Sequence, residues 1–533
     1  MNVPSTSLRP LLLPGLALAA AAAVGTVGAC TSSDSYVVVT VDAHPAVHDA
    51  KTLTVMLSNA GTSRSDDLAL HDPTFPVTFS ISAPGRAGDL AITIDAKDDS
   101  GAVVGHGLAS TTVTAPDAEV MLDSTDFVVN TDYAGDQFPA DDAGLYDADA
   151  GGFQVTALPD DTWTTVFRDG CTSGSCNVFA RRFDKAGKPA QTLAAAGTNA
   201  FTVTSRPTTS SSIPAIASSQ ATTLAVWNFS DVGTSTTTGL ACRTLDAGGN
   251  LGTSQLTIES TANFSYKPGA SLTPLGNGNF AVTWRVFNAA VIDEIHMAIL
   301  KPDCTPLGVI PPVAAGAQVQ DSLHRGSVAS SADRVLIAWV TNGDLHTRMA
   351  SNAGAFSTTD TVLVPQVPPD EIKAARVVAA SSGGFVVGAR WGQKTGTTGP
   401  GRIELYRINS AGALVGSPTL VSDRTGGDDI PSASFTMASR SDGVVLVAWH
   451  ACPPLGDDSM CGVFGRMYRD TGDSFTALTD PFVLPTTTLG DQKLPSVAAL
   501  SDAFVAVWSD ASATAPDKAG LAVRARLIYP PGN

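Results

Sequence analysis

A chain of 533 residues with 50 Asp and Glu against 32 Lys and Arg carries a formal net charge of −18. No basic stripe is available to neutralise phosphates, which argues against nucleic acid as a partner. Low charge density (15%), 49 Gly and abundant Thr, Ser, Val and Ala point to an all-β secreted protein long enough for two domains.

Residues 1–30 read as a processing segment. Arg9 supplies a positive flank, Leu11–Val24 is apolar and Ala-rich, and Val27-Gly28-Ala29-Cys30 closes the run with small residues. The core is too short for a membrane span. A cysteine directly after small residues resembles the lipobox of bacterial lipoproteins. The resemblance implies that Cys30 is the lipidated first residue of the mature chain and anchors it to a membrane. Thr31 supplies no Asp retention signal, so an outer-membrane or cell-surface lipoprotein of the envelope is expected. The alternative is an ordinary signal peptide with Cys30 a bystander.

Residues 31–123 alternate apolar and polar positions between turns. Strands are predicted at Tyr36–Val41, Thr52–Leu57, Val77–Ser82, Leu90–Asp95, Val103–Ser110 and Glu119–Leu122, with turns at Ser58–Gly61 and Asp98–Gly101. Short strands at this density predict a small immunoglobulin-like or fibronectin-like β-sandwich acting as a spacer or docking surface.

Residues 124–152 form a joint. Thr125–Thr131 reads as a short strand, and an acidic stretch with Asp132, Asp136, Asp141, Asp142, Asp147 and Asp149 follows. Asp147–Gly151 opens like a calcium loop, but Gly151 and Leu158 occupy positions where an EF-hand needs oxygen ligands. A solvated linker is expected. Weakly held Ca²⁺ is the alternative, and no other cofactor or metal is expected.

Residues 153–533 repeat. Each unit has four short apolar segments, A to D, with helical spacing in none of them. The ends of segment B align at Phe167, Trp227, Trp284, Trp339, Ala389, Trp449 and Trp508, 50 to 60 residues apart. Four strands at that period predict a seven-bladed β-propeller. Segment B is apolar at consecutive positions, as in Phe504–Trp508, which suits a strand covered on both faces. The last unit ends without a D segment. Asp126–Asn130 is therefore predicted to pair as its outer strand and close the ring; the alternative makes it the last strand of the preceding module. Residues 494–508, 179–187 and 126–130 resemble tandem repeats of bacterial secreted and surface proteins, which run PSVAxLxDGGFVVxW, then R-[FY]-D-x-x-G, then a strand ending in VN. The resemblance implies the architecture and says little of activity.

Six cysteines follow Cys30. Cys171 with Cys176, and Cys452 with Cys461, occupy the same B–C loop position of their units and are expected to form local disulfides. Cys242 and Cys304 remain, near the C strand and the C–D turn of adjacent units, where a bond between blades is one outcome; the sequence leaves their pairing open. Zinc is the rival reading, but no histidine pair stands at finger spacing.

No Gly-x-Ser-x-Gly elbow, Walker loop or His-Glu-x-x-His is present. Asp293-Glu294 and Asp370-Glu371 are candidate paired carboxylates for glycoside chemistry. His450 follows an anchor Trp at the mouth of a B–C loop. The B–C loops vary most in length, and with the D–A loops they share one face, which becomes the expected interaction surface. Arg390, Trp391, Lys394 and His450 are its candidate contacts. A non-enzymatic envelope lipoprotein that binds a protein or glycan on this face is the expected function. A polysaccharide-cleaving propeller (glycoside hydrolase or lyase) and a structural subunit of an envelope complex are the alternatives.

Overall fold

The computed structural model describes residues 36–129 except 72–73, and 153–531 except 173–174, 191–199, 205–207, 210–213, 231–237, 247–249, 253, 262–263, 289–291, 309–311, 314–325, 357–358, 394–400, 423–434, 453–459 and 515–520. Cys30 and the acidic stretch of the joint lie outside the described residues. The chain is all-β and divides into two units that meet between Thr125 and Asp126.

Among the described residues the first unit has seven strands: β1 (Tyr36–Ala43), β2 (Thr52–Asn59), β3 (Thr62–Ala69), β4 (Val77–Ser82), β5 (Asp89–Lys97), β6 (Val103–Thr112) and β7 (Asp117–Ser124). Period-two alternation sends Val37, Val39 and Val41 inward with Leu90, Ile92 and Ile94, all 3% exposed or less. Ala60 and Gly61, both at positive φ, make the tight turn that joins β2 to β3. The two layers expected of a sandwich are here parts of one hydrogen-bonded path, β3-β2-β5-β6-β7-β1-β4. The reason is β1, which runs parallel to β7 on one side and antiparallel to β4 on the other. The sheet curls around its own core as a half-barrel.

The second unit is a seven-bladed propeller. Its inner A strands contact one another in succession, with the last against the first. The B strands are buried throughout, as Val444–Ala451 and Phe504–Asp510 show, because each lies between two neighbouring blades. Blade 3 has three strands among the described residues: A (Phe264–Pro274), B (Phe280–Asn288) and C (Ile292–Leu300).

The last blade takes its fourth strand from β8 (Phe127–Val128), which pairs antiparallel with the C strand Ala522–Ile528. Asp126 secures it. Its carboxylate accepts from the backbone N–H groups of Thr486 (2.7 Å) and Thr487 (2.8 Å) and from Arg524 Nη1 (2.9 Å). Arg524 Nε donates in turn to Asp510 at 2.7 Å. These three side chains are 5% exposed or less.

A second device joins neighbouring blades. On five C strands an arginine stands opposite the residue two before the B anchor: Arg181, Arg243, Arg348, Arg466 and Arg526. Each donates Nη1 to a backbone carbonyl at the outer edge of the preceding blade. Arg243 reaches Val203 (2.8 Å), Arg348 Val313 (2.7 Å), Arg466 Val421 (2.9 Å) and Arg526 Leu484 (2.9 Å); Arg181 reaches Val129, which follows β8. Blades 3 and 5 carry Ala298 and Tyr406 at this place. Where blade 3 lacks the arginine, the Cys242–Cys304 disulfide ties it to blade 2, with Cα atoms 5.9 Å apart. Between blades 4 and 5, the N–H of Ile372 donates to Gly343 O at 2.8 Å, over a shared apolar cluster.

Candidate functional site: the channel and the loop face

The seven A strands surround an axial cavity of about 340 Å³. Hydroxyls of Thr156, Ser271, Ser327, Thr436 and Ser496 are among its lining, with apolar neighbours such as Phe153. Arg376 is the one charged side chain in the described lining. It is held against the wall, its Nη1 donating to Ala375 O at 2.9 Å and its guanidinium 5.6 Å from the Phe435 ring centre. Glycoside hydrolysis ordinarily works with a pair of carboxyl groups flanking the scissile bond. The described wall presents hydroxyls, the Gln154 amide and one guanidinium.

Charge collects instead on the face of the B–C and D–A loops, at blade 5. Its A strand (Asp370–Ala379) starts there, its B strand (Phe385–Gln393) ends there and its C strand (Arg402–Ile408) starts there. Period-two geometry puts Arg402, Glu404 and Tyr406 on one side of the C strand. Arg402 lies over Trp391, 4.4 Å from the ring centre. It donates from Nε to Glu404 (2.8 Å) and from Nη1 to Asp370 (2.6 Å). Tyr406 donates its hydroxyl to the other Glu404 oxygen at 2.5 Å. Lys373 is ion-paired with Glu371. Burial by itself lowers the Arg402 guanidinium, but the bonds and charges of Glu404 and Asp370 outweigh it and raise it. Burial and then Glu404 push the Tyr406 phenol up, so it stays a donor.

The expected contacts fall elsewhere than on an open loop. Arg390 and Trp391 belong to the B strand, 5% and 3% exposed, because that strand pairs on to Gln393 before its loop begins. Trp391 packs in the core between blades 4 and 5. Lys394 lies outside the described residues. His450 is buried in blade 6, where Nδ1 accepts from the N–H of Leu494 at 3.2 Å and holds the bulge in the last A strand. Burial, helped by the charges of Lys493 and Arg390, lowers its pKa to about 3. The imidazole is therefore neutral, and Nε2 carries the proton.

The two expected carboxylate pairs also resolve. Asp370 and Glu371 turn to Arg402 and Lys373 respectively. Glu294 accepts from His296 (3.0 Å), whose other nitrogen faces Glu259 of blade 2 at 3.4 Å. Burial lowers the His296 pKa, but these two glutamates more than reverse it. The side chain of Asp293 lies outside the described residues. Cys452–Cys461 closes its B–C loop, and Cys461 N–H donates to Asp491 at 2.9 Å. Asp491 is also paired with Lys493 at 2.6 Å. The side chains of Cys171 and Cys176 lie outside the described residues. Among the described residues no cluster of His, Cys, Asp and Glu is arranged to hold a metal ion.

No protein-family model and no curated protein matches the chain. Solved structures do. An α-L-arabinanase from Penicillium chrysogenum is 9% identical with a TM-score of 0.39, over 76% of this chain and 98% of that one. The α-L-arabinofuranosidase Arb93A from Fusarium graminearum is 11% identical with a TM-score of 0.32, over 82% and 97%. Prolyl oligopeptidase B from Galerina marginata is 11% identical with a TM-score of 0.36, over 79% and 53%. These are likenesses of fold.

The Arg402–Glu404–Tyr406 alternation is visible in the sequence as three polar residues at every second position. Nothing in it shows that Asp370, 32 residues earlier, joins them. The state of His450 has a measurable effect. Above its unfolded pKa of about 6.5 the group is neutral in both states. Between about 6.5 and the folded value of about 3, only the unfolded chain takes up the proton. Stability is therefore expected to fall as pH falls, by about 1.4 kcal/mol per unit from this group. His450→Gln keeps an acceptor for Leu494 and is expected to flatten that slope between pH 6 and 4 in urea denaturation. Parallel slopes for parent and variant would rule the assignment out.

Proposed function

We propose that this protein is a non-enzymatic propeller that binds a protein or glycan on its B–C/D–A loop face, centred on Asp370, Arg402 and Glu404. The observation that carries this reading is the state of the polar groups. The described channel wall offers hydroxyls, the Gln154 amide and one guanidinium, while the loop-face carboxylates Asp370, Glu404, Glu371 and Asp491 are engaged by Arg402, Lys373 and Lys493. A preformed, half-exposed ion-pair network suits hydrogen bonding to a polar ligand at little ordering cost. Cys30 is the proposed lipid anchor, and the cell envelope the proposed site of action.

A glycan array together with pull-down from envelope extracts tests the binding face. Capture by the parent chain and loss with Arg402→Ala is the expected result. Release of reducing sugar from any array-positive polysaccharide would replace this reading with a hydrolase. Palmitate labelling tests the anchor: label on the parent and none on Cys30→Ala is expected, and equal labelling would sink it.

A further inference from the structure

The first unit holds a cavity of about 280 Å³. It opens where the two ends of the curled sheet face each other, lined by Thr62–Arg64 of β3 and by Ile81 of β4. Its wall is apolar: Leu57, Ile81, Ala83, Leu90 and Val113 are all 6% exposed or less and still border open space.

Two guanidiniums line the same cavity. Arg86 Nη1 has neutral partners, Thr62 Oγ1 at 2.7 Å and Asn59 Oδ1 at 3.4 Å. Arg64 grips Asp66 through Nε (2.6 Å) and Nη2 (2.7 Å), but its Nη1 is buried and has no hydrogen-bond partner. That atom is enclosed by protein, so the guanidinium that a ligand in the cavity would meet is Arg86. Asp66 offsets one of the two positive charges. The cavity edge therefore keeps a positive excess within a chain whose net charge is −18. An apolar pit with a guanidinium donor at its edge matches a ligand with a hydrocarbon tail and an anionic head.

We propose that this cavity binds a single-chain fatty carboxylate, with the tail against Leu57, Ile81 and Val113 and the carboxylate on the Arg86 guanidinium. Calorimetric titration of the full chain tests it, using laurate below its micelle concentration. Dodecanol and dodecyltrimethylammonium serve as neutral and cationic probes of equal chain length. Laurate is expected to bind at one site per chain, about tenfold or more tighter than dodecanol, as a charge-assisted hydrogen bond allows. The cation is expected not to bind. Arg86→Met should bring laurate down to the dodecanol level and leave dodecanol unchanged. Ala83→Phe fills the pit from the other side and should remove both. Circular dichroism establishes that each variant is folded; if Arg86→Met is not, the laurate-to-dodecanol ratio of the parent decides. Equal binding of laurate and dodecanol, no laurate binding by the folded parent, or full laurate affinity in folded Arg86→Met would each overturn the proposal.

Discussion

Replacing Arg524 with methionine is expected to destabilise the propeller by about 3–5 kcal/mol, the usual range for a broken buried ion pair. Two carboxylates lose their counter-charge at once. Asp126 and Asp510 have 1% of their side-chain surface exposed, and Arg524 bridges them. Asp126→Asn should cost less, about half as much, because Arg524 keeps Asp510 and the amide oxygen can still accept from Thr486 and Thr487. Urea denaturation of parent and both variants gives the comparison. A loss under about 1 kcal/mol for Arg524→Met would mean that this network does not hold the closing strand.

The second large effect is expected from removing the Cys242–Cys304 bond by replacing both residues with alanine. The bond closes a loop 62 residues long, which in the chain-entropy account corresponds to about 4 kcal/mol. Cys452–Cys461 spans 9 residues and corresponds to about 2–3 kcal/mol by the same relation. The longer bond also joins blades 2 and 3, at the joint where Ala298 replaces the arginine found on five other blades. Its loss is therefore expected to open that joint first. Hydrogen exchange would show protection falling in the C strands of blades 2 and 3 (Thr238–Asp246 and Ile292–Leu300) before blades 6 and 7. Uniform loss of protection would separate the stability effect from its proposed location.

Much of the fold was legible because its signals are local. Period-two alternation marked six of the seven strands of the first unit. It missed β3, whose sequence TSRSDDLA forms an exposed edge with no apolar face to announce it. Continuous apolar runs marked the B strands, since burial on both sides leaves no polar alternation. The absent D segment of the last unit pointed ahead of the first blade for its partner. What remained hidden depends on distance in the chain. The R-[FY]-D-x-x-G signature draws attention to Arg182 in residues 179–187, whereas strand pairing shows that the bridging arginine there is its neighbour Arg181. Arg390 and Trp391 were placed in a loop because loop length in sequence does not reveal how far a ladder continues. Their pairing with residues on both sides does. The blade 5 cluster was half visible: its C-strand members alternate, while its acidic partner comes from another strand.

The ring is completed by residues at its two extremes, 398 positions apart at the Asp126–Arg524 contact. During synthesis from the amino end, Phe127 and Val128 emerge first in the propeller and their partner strand emerges last. Six blades must wait, with one flank of the toroid uncovered, until the final residues arrive. A chain without Arg524 and Ala525 would leave the closing strand no ladder to join, so the first propeller strand made is the last to be paired.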